Sequence, residues 1–291
     1  MPDIRTILAD YHRDGFAVAR GILPPEEADQ MREQAYALVA RGAAVERNDD
    51  VFDLEPGHSR ENPRVRRIKR PHDVSGYFNA MARHPVILNV VTRLIGPNVR
   101  LNHSKINVKA AEYGSALEWH QDWAFIPHTN MDLVIVAIAL DDCTEDNGPM
   151  LMLPGSHVGP LYSHHRGEAF VGAIDVRGEG VPVSEQAVPI VGPAGTVSFH
   201  HPMTVHGSAI NKSDKSRSLL FYEYAASDAW PLFYGVDYQE FDSRIVAGEP
   251  CHEPRLENVH VRMPYPVATA GAIYEIQETL EDKYFADTPA D

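Results

Sequence analysis

The chain has 291 residues, 44% hydrophobic and 23% charged, which is the balance of a folded globular protein. Lys and Arg total 26 against 41 Asp and Glu, for a formal charge of −15, and this argues against a sequence-independent grip on nucleic acid or an anionic membrane. Cys143 and Cys251 are the only cysteines, too few for a disulfide framework or a CxxC metal site, and they suit a reducing compartment. Met1 to Arg5 lacks the basic region and apolar run of a secretory signal, and no apolar stretch approaches the roughly 18 residues of a membrane span, so a cytoplasmic protein is predicted.

Residues 3 to 13 carry Ile4, Ile7, Leu8 and Tyr11 at helical spacing before Gly15, and Phe16 to Gly21 reads as a strand. Pro24-Pro25 opens a helix with Glu26 and Glu27 in its first turn, running to about Gly42. Residues 43 to 75 show no sustained period and read as loop, with a strand near Val65 to Lys69. A loop of that length is more often functional than idle. A helix over 76 to 95 ends at Gly96-Pro97.

From 98 to 225 the texture changes to short strands: Val99 to Val108, Leu117 to Trp123, Leu133 to Leu140, Met150 to Leu153, Val188 to Val191, Thr196 to His200, Val205 to Ile210 and Ser218 to Tyr224. Turn signals separate them, among them Asp146-Asn147-Gly148-Pro149, Pro154-Gly155 and Asn211-Lys212. This spacing means a sandwich, a jelly roll or a barrel. Ala272 to Phe285 predicts a last helix packed outside. One domain is expected, with N-terminal helices and loop (1–97), a β core (98–225) and a C-terminal extension (226–291).

The chemistry concentrates in two stretches. Trp119-His120-Gln121-Asp122-Trp123 contains His-x-Asp, and residues two apart on a strand share a face. A third ligand from another strand, for which His206 is the choice, completes the two-His-one-carboxylate set that suits non-haem Fe(II) and leaves positions open. A hairpin turning at Asn211-Lys212 would set His206 opposite Arg217. An imidazole and a guanidinium facing one pocket call for a metal-bound dicarboxylate whose far end an arginine holds. Proton competition for neutral imidazoles predicts that metal affinity falls below about pH 6 to 6.5.

The order WHQDW, then EDNGPMLMLPGSH at 145 to 157, then HGSAINKSDKSR at 206 to 217 resembles the phytanoyl-CoA dioxygenase family of Fe(II)/2-oxoglutarate oxygenases. The resemblance covers roughly 100 to 225. It implies iron ligation by His120, Asp122 and His206, binding of the far carboxylate of 2-oxoglutarate by Arg217, and co-substrate contacts from Ser208 and Asn107. It also implies a mainly β, cupin-like fold, the double-stranded β-helix form of jelly roll, with flanking helices. The implied activity hydroxylates or otherwise oxidises an unactivated C–H bond of a small organic substrate with O2, releasing succinate and CO2. Relatives with Gly or Ala in place of the Asp are halogenases, and the presence of Asp122 disfavours that chemistry.

Other residues carry weaker expectations. His200 and His201 are rival third ligands without an arginine at the matching distance. His164-His165 reads as solvated surface, and His157 as satisfying turn hydrogen bonds. Trp119 and Trp123 read as packing between layers; Lys105 and Lys109 read as an exposed face, with a strand that reaches the pocket as the alternative; and Arg64 to Arg70 read as solvated loop, with contact to an anionic substrate or the co-substrate as the alternative. Trp230, Phe233 and Tyr234 suit either a lid or the core. The competing function is a metal-binding jelly roll without redox activity, in which Arg217 would have no purpose. The segments 43–75, 158–187 and 226–265 are expected to contact the substrate; no motif names it, and none bears on oligomeric state.

Overall fold

The computed structural model describes residues 3–111, 114–178, 180–181, 183–233, 235–263 and 273–285. Helix α1 (Ile4–Asp14) starts at Asp3, whose carboxylate accepts from the Arg5 N–H, and stops at Gly15, whose φ of 83° is the left-handed conformation that glycine adopts freely. Strand β1 (Phe16–Ala19) follows, then α2 (Pro25–Gly42) with Pro25 in its first turn. The expected loop over 43–75 holds β2 (Phe52–Leu54), β3 (Val65–Lys69) and α3 (Pro71–Val74). The helix expected over 76–95 is two helices, α4 (Gly76–Met81) and α5 (Pro85–Ile95). Pro85 causes the break: it forces His84 into extended backbone (φ −60°, ψ 123°) and starts a new first turn.

The strands continue with β4 (Val99–Lys109), β5 (Leu117–His120), β6 (Leu133–Ala139), β7 (Leu151–Met152), β8 (His165–Arg166) and β9 (Ala169–Phe170). After the short α6 (Val183–Gln186) come β10 (Val188–Pro189), β11 (Val197–His200), β12 (His206–Ser208) and β13 (Arg217–Ala226). The tail adds α7 (Tyr238–Ser243), β14 (Ile245–Ala247) and α8 (Ile273–Glu278). A large antiparallel sheet has the order β1-β11-β6-β13-β4-β3-β2, with β14 also on β4, and a smaller sheet has the order β10-β7-β12-β5. This is the double-stranded β-helix that the sequence led us to expect.

Period-two alternation sets what each face of the large sheet does. On β13, Leu220, Tyr222 and Tyr224 pack against the helices, and the two hydroxyls donate to the carbonyls of Phe78 (2.7 Å) and Ala82 (2.9 Å). The alternate residues, Arg217, Leu219, Phe221 and Glu223, face a cavity. On β4, Ile106 and Val108 join the core while His103, Lys105, Asn107 and Lys109 line the same cavity, and a bulge at residue 102 then shifts the register so that Leu101 returns to the core. Strand β6 is buried on both faces, as its apolar sequence requires.

Two expectations about connectivity fail. The segment 117–123 is not one strand: β5 ends at His120, Gln121 is extended, and Asp122 begins a 3-10 turn. Strands β12 and β13 are not a hairpin, for β12 pairs with β5 and β7 in the small sheet while β13 pairs with β4 and β6 in the large one. Asn211 explains the crossing, since its side-chain amide donates to the carbonyls of Lys109 (3.2 Å) and Lys215 (2.7 Å) and holds the chain open as a loop. Among the described residues no helix is long and apolar enough to cross a membrane.

Candidate active site

The antiparallel register of β12 with β5 puts His206 directly against His120, with ring centroids 4.1 Å apart. The 3-10 turn then swings Asp122 towards both: its Oδ1 lies 3.8 Å from His120 Nε2 and its Oδ2 3.7 Å from His206 Nε2. One ligand atom from each of the three falls within 4.8 Å of the others. In both histidines Nδ1–H donates to the backbone carbonyl two residues back, Glu118 at 2.8 Å and Thr204 at 3.0 Å. That fixes the tautomer and leaves each Nε2 lone pair free, the arrangement a metal-binding histidine needs. Two imidazole nitrogens and one carboxylate oxygen fit ferrous iron.

The surroundings keep the donors ready. Burial, then the neighbouring His206, holds His120 well below the ordinary histidine range; burial lowers His206 to about 4. Burial pushes the Asp122 carboxyl up, but His206 and the His200 hydrogen bond outweigh it and keep it well below the usual carboxylate range. The imidazoles are therefore neutral to lower pH than the expected 6 to 6.5. His200 lies outside the converged His120–Asp122–His206 group and supports it, its Nε2–H donating to Asp122 Oδ2 at 3.1 Å. His201 stands away, edge-on to Tyr11.

Gln121, between His120 and Asp122, is completely buried and tied on every side. Its amide nitrogen donates to Pro160 O (3.1 Å) and Met203 O (2.9 Å), its amide oxygen accepts from the Tyr162 N–H (2.9 Å), and its backbone N–H reaches His164 Nε2 (2.8 Å). His164 and His165 are thus buried, not solvated. The turn at 154–157 is bonded by Ser156, which donates to Leu153 O and accepts from the Val205 N–H, not by His157. Trp119 stacks on Phe285 and Trp123 packs with Leu133 and Met203, which is the packing role expected of them.

The cavity beside the triad has a volume of about 590 Å³ and is lined by His120, Asp122, His206, Ser208, Asn107 and Arg217 among others. Although β12 and β13 belong to different sheets, His206 and Arg217 face the same space. Arg217 is 2% exposed and its guanidinium donates to the Gly148 carbonyl. Gly148 sits at φ +70°, where a Cβ would meet Ala209 O at 2.7 Å, so the Asn-Gly turn has to carry glycine there. Lys109, expected on an exposed face, is 1% exposed, is the cross-strand partner of Arg217, and donates to the carbonyls of Ser208 (3.3 Å) and Ala209. Burial lowers the basicity of both cations, and Arg217 adds to the effect on Lys109. An anion between them would relieve that cost. Among the described residues Arg217 Nε and Asn107 Oδ1 have no partner for their buried atoms, as groups waiting for a polar ligand do.

Helix α8 does more than pack outside, because its Ile273, Tyr274 and Ile276 close one wall of the cavity. Gln277 pins it: its side chain accepts from the Glu118 N–H (2.9 Å) and donates to Gly172 O (2.7 Å). In the tail, Phe233 lines the cavity, Trp230 instead packs on Phe241, and Tyr234 lies outside the described residues. Of the Arg64 to Arg70 run, whose first reading was solvated loop, Arg67, Lys69 and Arg70 reach the cavity and Arg66 is buried under Tyr274. Sequence reasoning ranked the cavity second because alternation along so short a strand cannot tell a cavity from solvent.

A jelly roll that brings two histidines and a carboxylate together beside a buried arginine with no carboxylate partner among the described residues defines the scaffold of a non-haem iron oxygenase. The phytanoyl-CoA dioxygenase (PhyH) family model matches residues 11–219, and the chain belongs to that family. It is 34% identical over 281 residues to a probable alpha-ketoglutarate-dependent hypophosphite dioxygenase of Stutzerimonas stutzeri, covering 95% of this chain and 98% of the relative. It is 29% identical to L-proline trans-4-hydroxylase of Streptomyces griseoviridis, over 74% of this chain and 83% of that one. The iron-bound structure of EctD from S. alaskensis superposes with a TM-score of 0.68 at 26% identity, covering 88% and 87% of the two chains. The protein is an Fe(II)/2-oxoglutarate-dependent dioxygenase, and the reading as a non-redox jelly roll is set aside.

Proposed function

We propose that His120, Asp122 and His206 hold the iron, that Arg217 pairs with the far carboxylate of 2-oxoglutarate, and that the enzyme hydroxylates a small molecule bound in the remaining cavity. The observation that carries this reading is the pairing of a converged His-Asp-His set with a buried arginine that, among the described residues, has no carboxylate partner. Iron with O2 and the keto acid supplies the oxidising power, coupling decarboxylation to insertion of one oxygen atom into the substrate. The chain's own residues bind, orient and exclude water. The Glu118 and Thr204 carbonyls hold the two imidazoles, and His200 holds Asp122. Phe125 stands edge-on to His120 at 5.9 Å, and Leu219, Phe221 and Met150 make an apolar wall. Ser208 and Asn107 are placed to add polar contacts to the co-substrate. The free thiols of Cys143 and Cys251 support a reducing, cytoplasmic setting, and the charge of −15 supports a small-molecule partner over nucleic acid. One folded domain accounts for all the elements that line the cavity.

Anaerobic addition of Fe(II) and 2-oxoglutarate should give the weak visible charge-transfer band of the chelate, and His206→Ala should abolish it. A colourless wild-type mixture would rule the assignment out.

A further inference from the structure

The cavity is strongly basic inside an acidic protein. Its cationic lining residues are Arg67, Lys69, Arg70, Lys105, Lys109, Arg217 and Arg244, against the carboxylates of Asp122 and Glu223. Four of these cations are already neutralised: Lys69 by Asp53 (3.0 Å), Arg70 by Asp73 (3.2 Å), Lys105 by Glu223 (3.1 Å) and Arg244 by Glu240. Lys109 and Arg217, paired across β4 and β13, belong to the co-substrate end. Arg67 is left, for among the described residues it has no carboxylate partner and its buried Nε has no hydrogen-bond partner.

We propose that Arg67, with His103 beside it, forms an anion subsite that receives the acidic end of the substrate, a carboxylate or a phosphorus oxoanion. The inference rests on the dioxygenase reading above and adds what that reading does not specify. The backbone of Arg67 is opposite Asn107, yet its guanidinium leans along β4 until Nη2 is 3.4 Å from His103 Nε2. It therefore points away from Lys109. Residues 103 and 109 are six apart on one strand, a backbone separation of about 20 Å at roughly 3.3 Å per residue, so the Arg67–His103 pair and the Lys109–Arg217 pair mark opposite ends of the β4 lining. The cavity, at about 590 Å³, has the size of sites that bury a whole ligand, typically about 300–1,000 Å³.

The neighbours of Arg67 favour an anion over a cation. Burial, then the charges of Arg67 and Lys105, keeps His103 well below the ordinary histidine range, so it stays neutral and accepts from Arg67 instead of repelling it. Glu223, the nearest carboxylate on the β13 face, already has Lys105. A guanidinium so placed offers two parallel N–H donors, the geometry that carboxylates and phosphorus oxoanions share. Phe125, Ile126 and Phe233 provide the apolar surface for the rest of the molecule.

The test uses full-length protein loaded with Mn(II) and saturating 2-oxoglutarate under argon, so that the Arg217 end is filled. Butyrate, propylphosphonate and the uncharged isostere butanamide are titrated calorimetrically. At least one anion should bind about tenfold or more tightly than the amide, and the carboxylate and phosphonate arms tell the two sources apart. Arg67→Ala should remove that preference and Arg67→Lys retain part of it, while 2-oxoglutarate affinity stays within about twofold of wild type, which also shows that the variants are folded. Equal binding of anion and amide by the wild type, or an undiminished preference in Arg67→Ala, would overturn the subsite. The same titrations on metal-free Arg217→Ala score the subsite separately, so failure of the wild type to bind 2-oxoglutarate would count against the dioxygenase reading alone.

Discussion

His200 gives its Nε2–H to Asp122 and lies fully buried, so its work is to fix which carboxylate oxygen remains for the metal. Supports of this kind typically contribute about 10–100-fold to metal affinity. His200→Phe should weaken Mn(II) binding by about that factor, and an unchanged isotherm would show that Asp122 orients itself. Arg217 acts at the other end. Hydrogen bonds to a charged group contribute about 1.5–3 kcal/mol, so Arg217→Met should raise the 2-oxoglutarate KM by roughly 10–150-fold with metal affinity nearly intact. Equal loss of both affinities would contradict the clamp. That His120, Asp122 and His206 would converge and that Arg217 would share their cavity was legible in the sequence, because ligand chemistry limits the residue types and a strand limits their spacing. The support from His200 was not, since a histidine six residues from a ligand reads equally well as a rival for the metal.

Strands and helices explain the errors as well as the successes. Apolar patterning marked β4, β6 and β13 well, β6 as a run buried on both faces and the other two as strands whose faces divide between core and cavity. The predicted β12–β13 hairpin failed because a local turn signal cannot reveal that Asn211 will tie the loop to Lys109 across the sandwich. Helix α8 was read as outer packing, since its apolar spacing looks the same whether it covers a core or a cavity. Gln277 connects that helix to β5 through the Glu118 N–H. Gln277→Ala leaves buried groups unsatisfied, at a cost of about 1–3 kcal/mol. We expect faster subtilisin cleavage within 273–278 and a raised 2-oxoglutarate KM, because Tyr274 leaves the wall beside Arg217. A cleavage rate and KM equal to wild type would remove α8 from the site.

For the molecule as a whole, buried neutral histidines couple folding to pH. Burial lowers His72 and His128 each to about 4 and His201 to about 3, and none of these faces the iron position. The unfolded chain takes up these protons near pH 6.5 and the fold only near 4 or 3, so the unfolded state binds more protons in between. Stability is full above about pH 6.5 and drops as pH falls towards 4, by up to about 3 kcal/mol for each histidine. The melting temperature of metal-free protein should therefore fall steadily between about pH 7 and pH 5; a flat or rising profile would contradict the burial of these rings.

The sequence by itself determined the class of chemistry and the shell: which residue types could ligate iron, that an arginine would share their pocket, and that short strands would close into a jelly roll. These follow from local rules, namely donor chemistry and the period of a strand. Only the tertiary structure decided which strands exchange between sheets, which cations are buried and which helix closes the cavity. Those outcomes depend on contacts between residues far apart in the chain, such as Asn211 with Lys109, Gln277 with Glu118 and Arg67 with His103, and no local pattern encodes them.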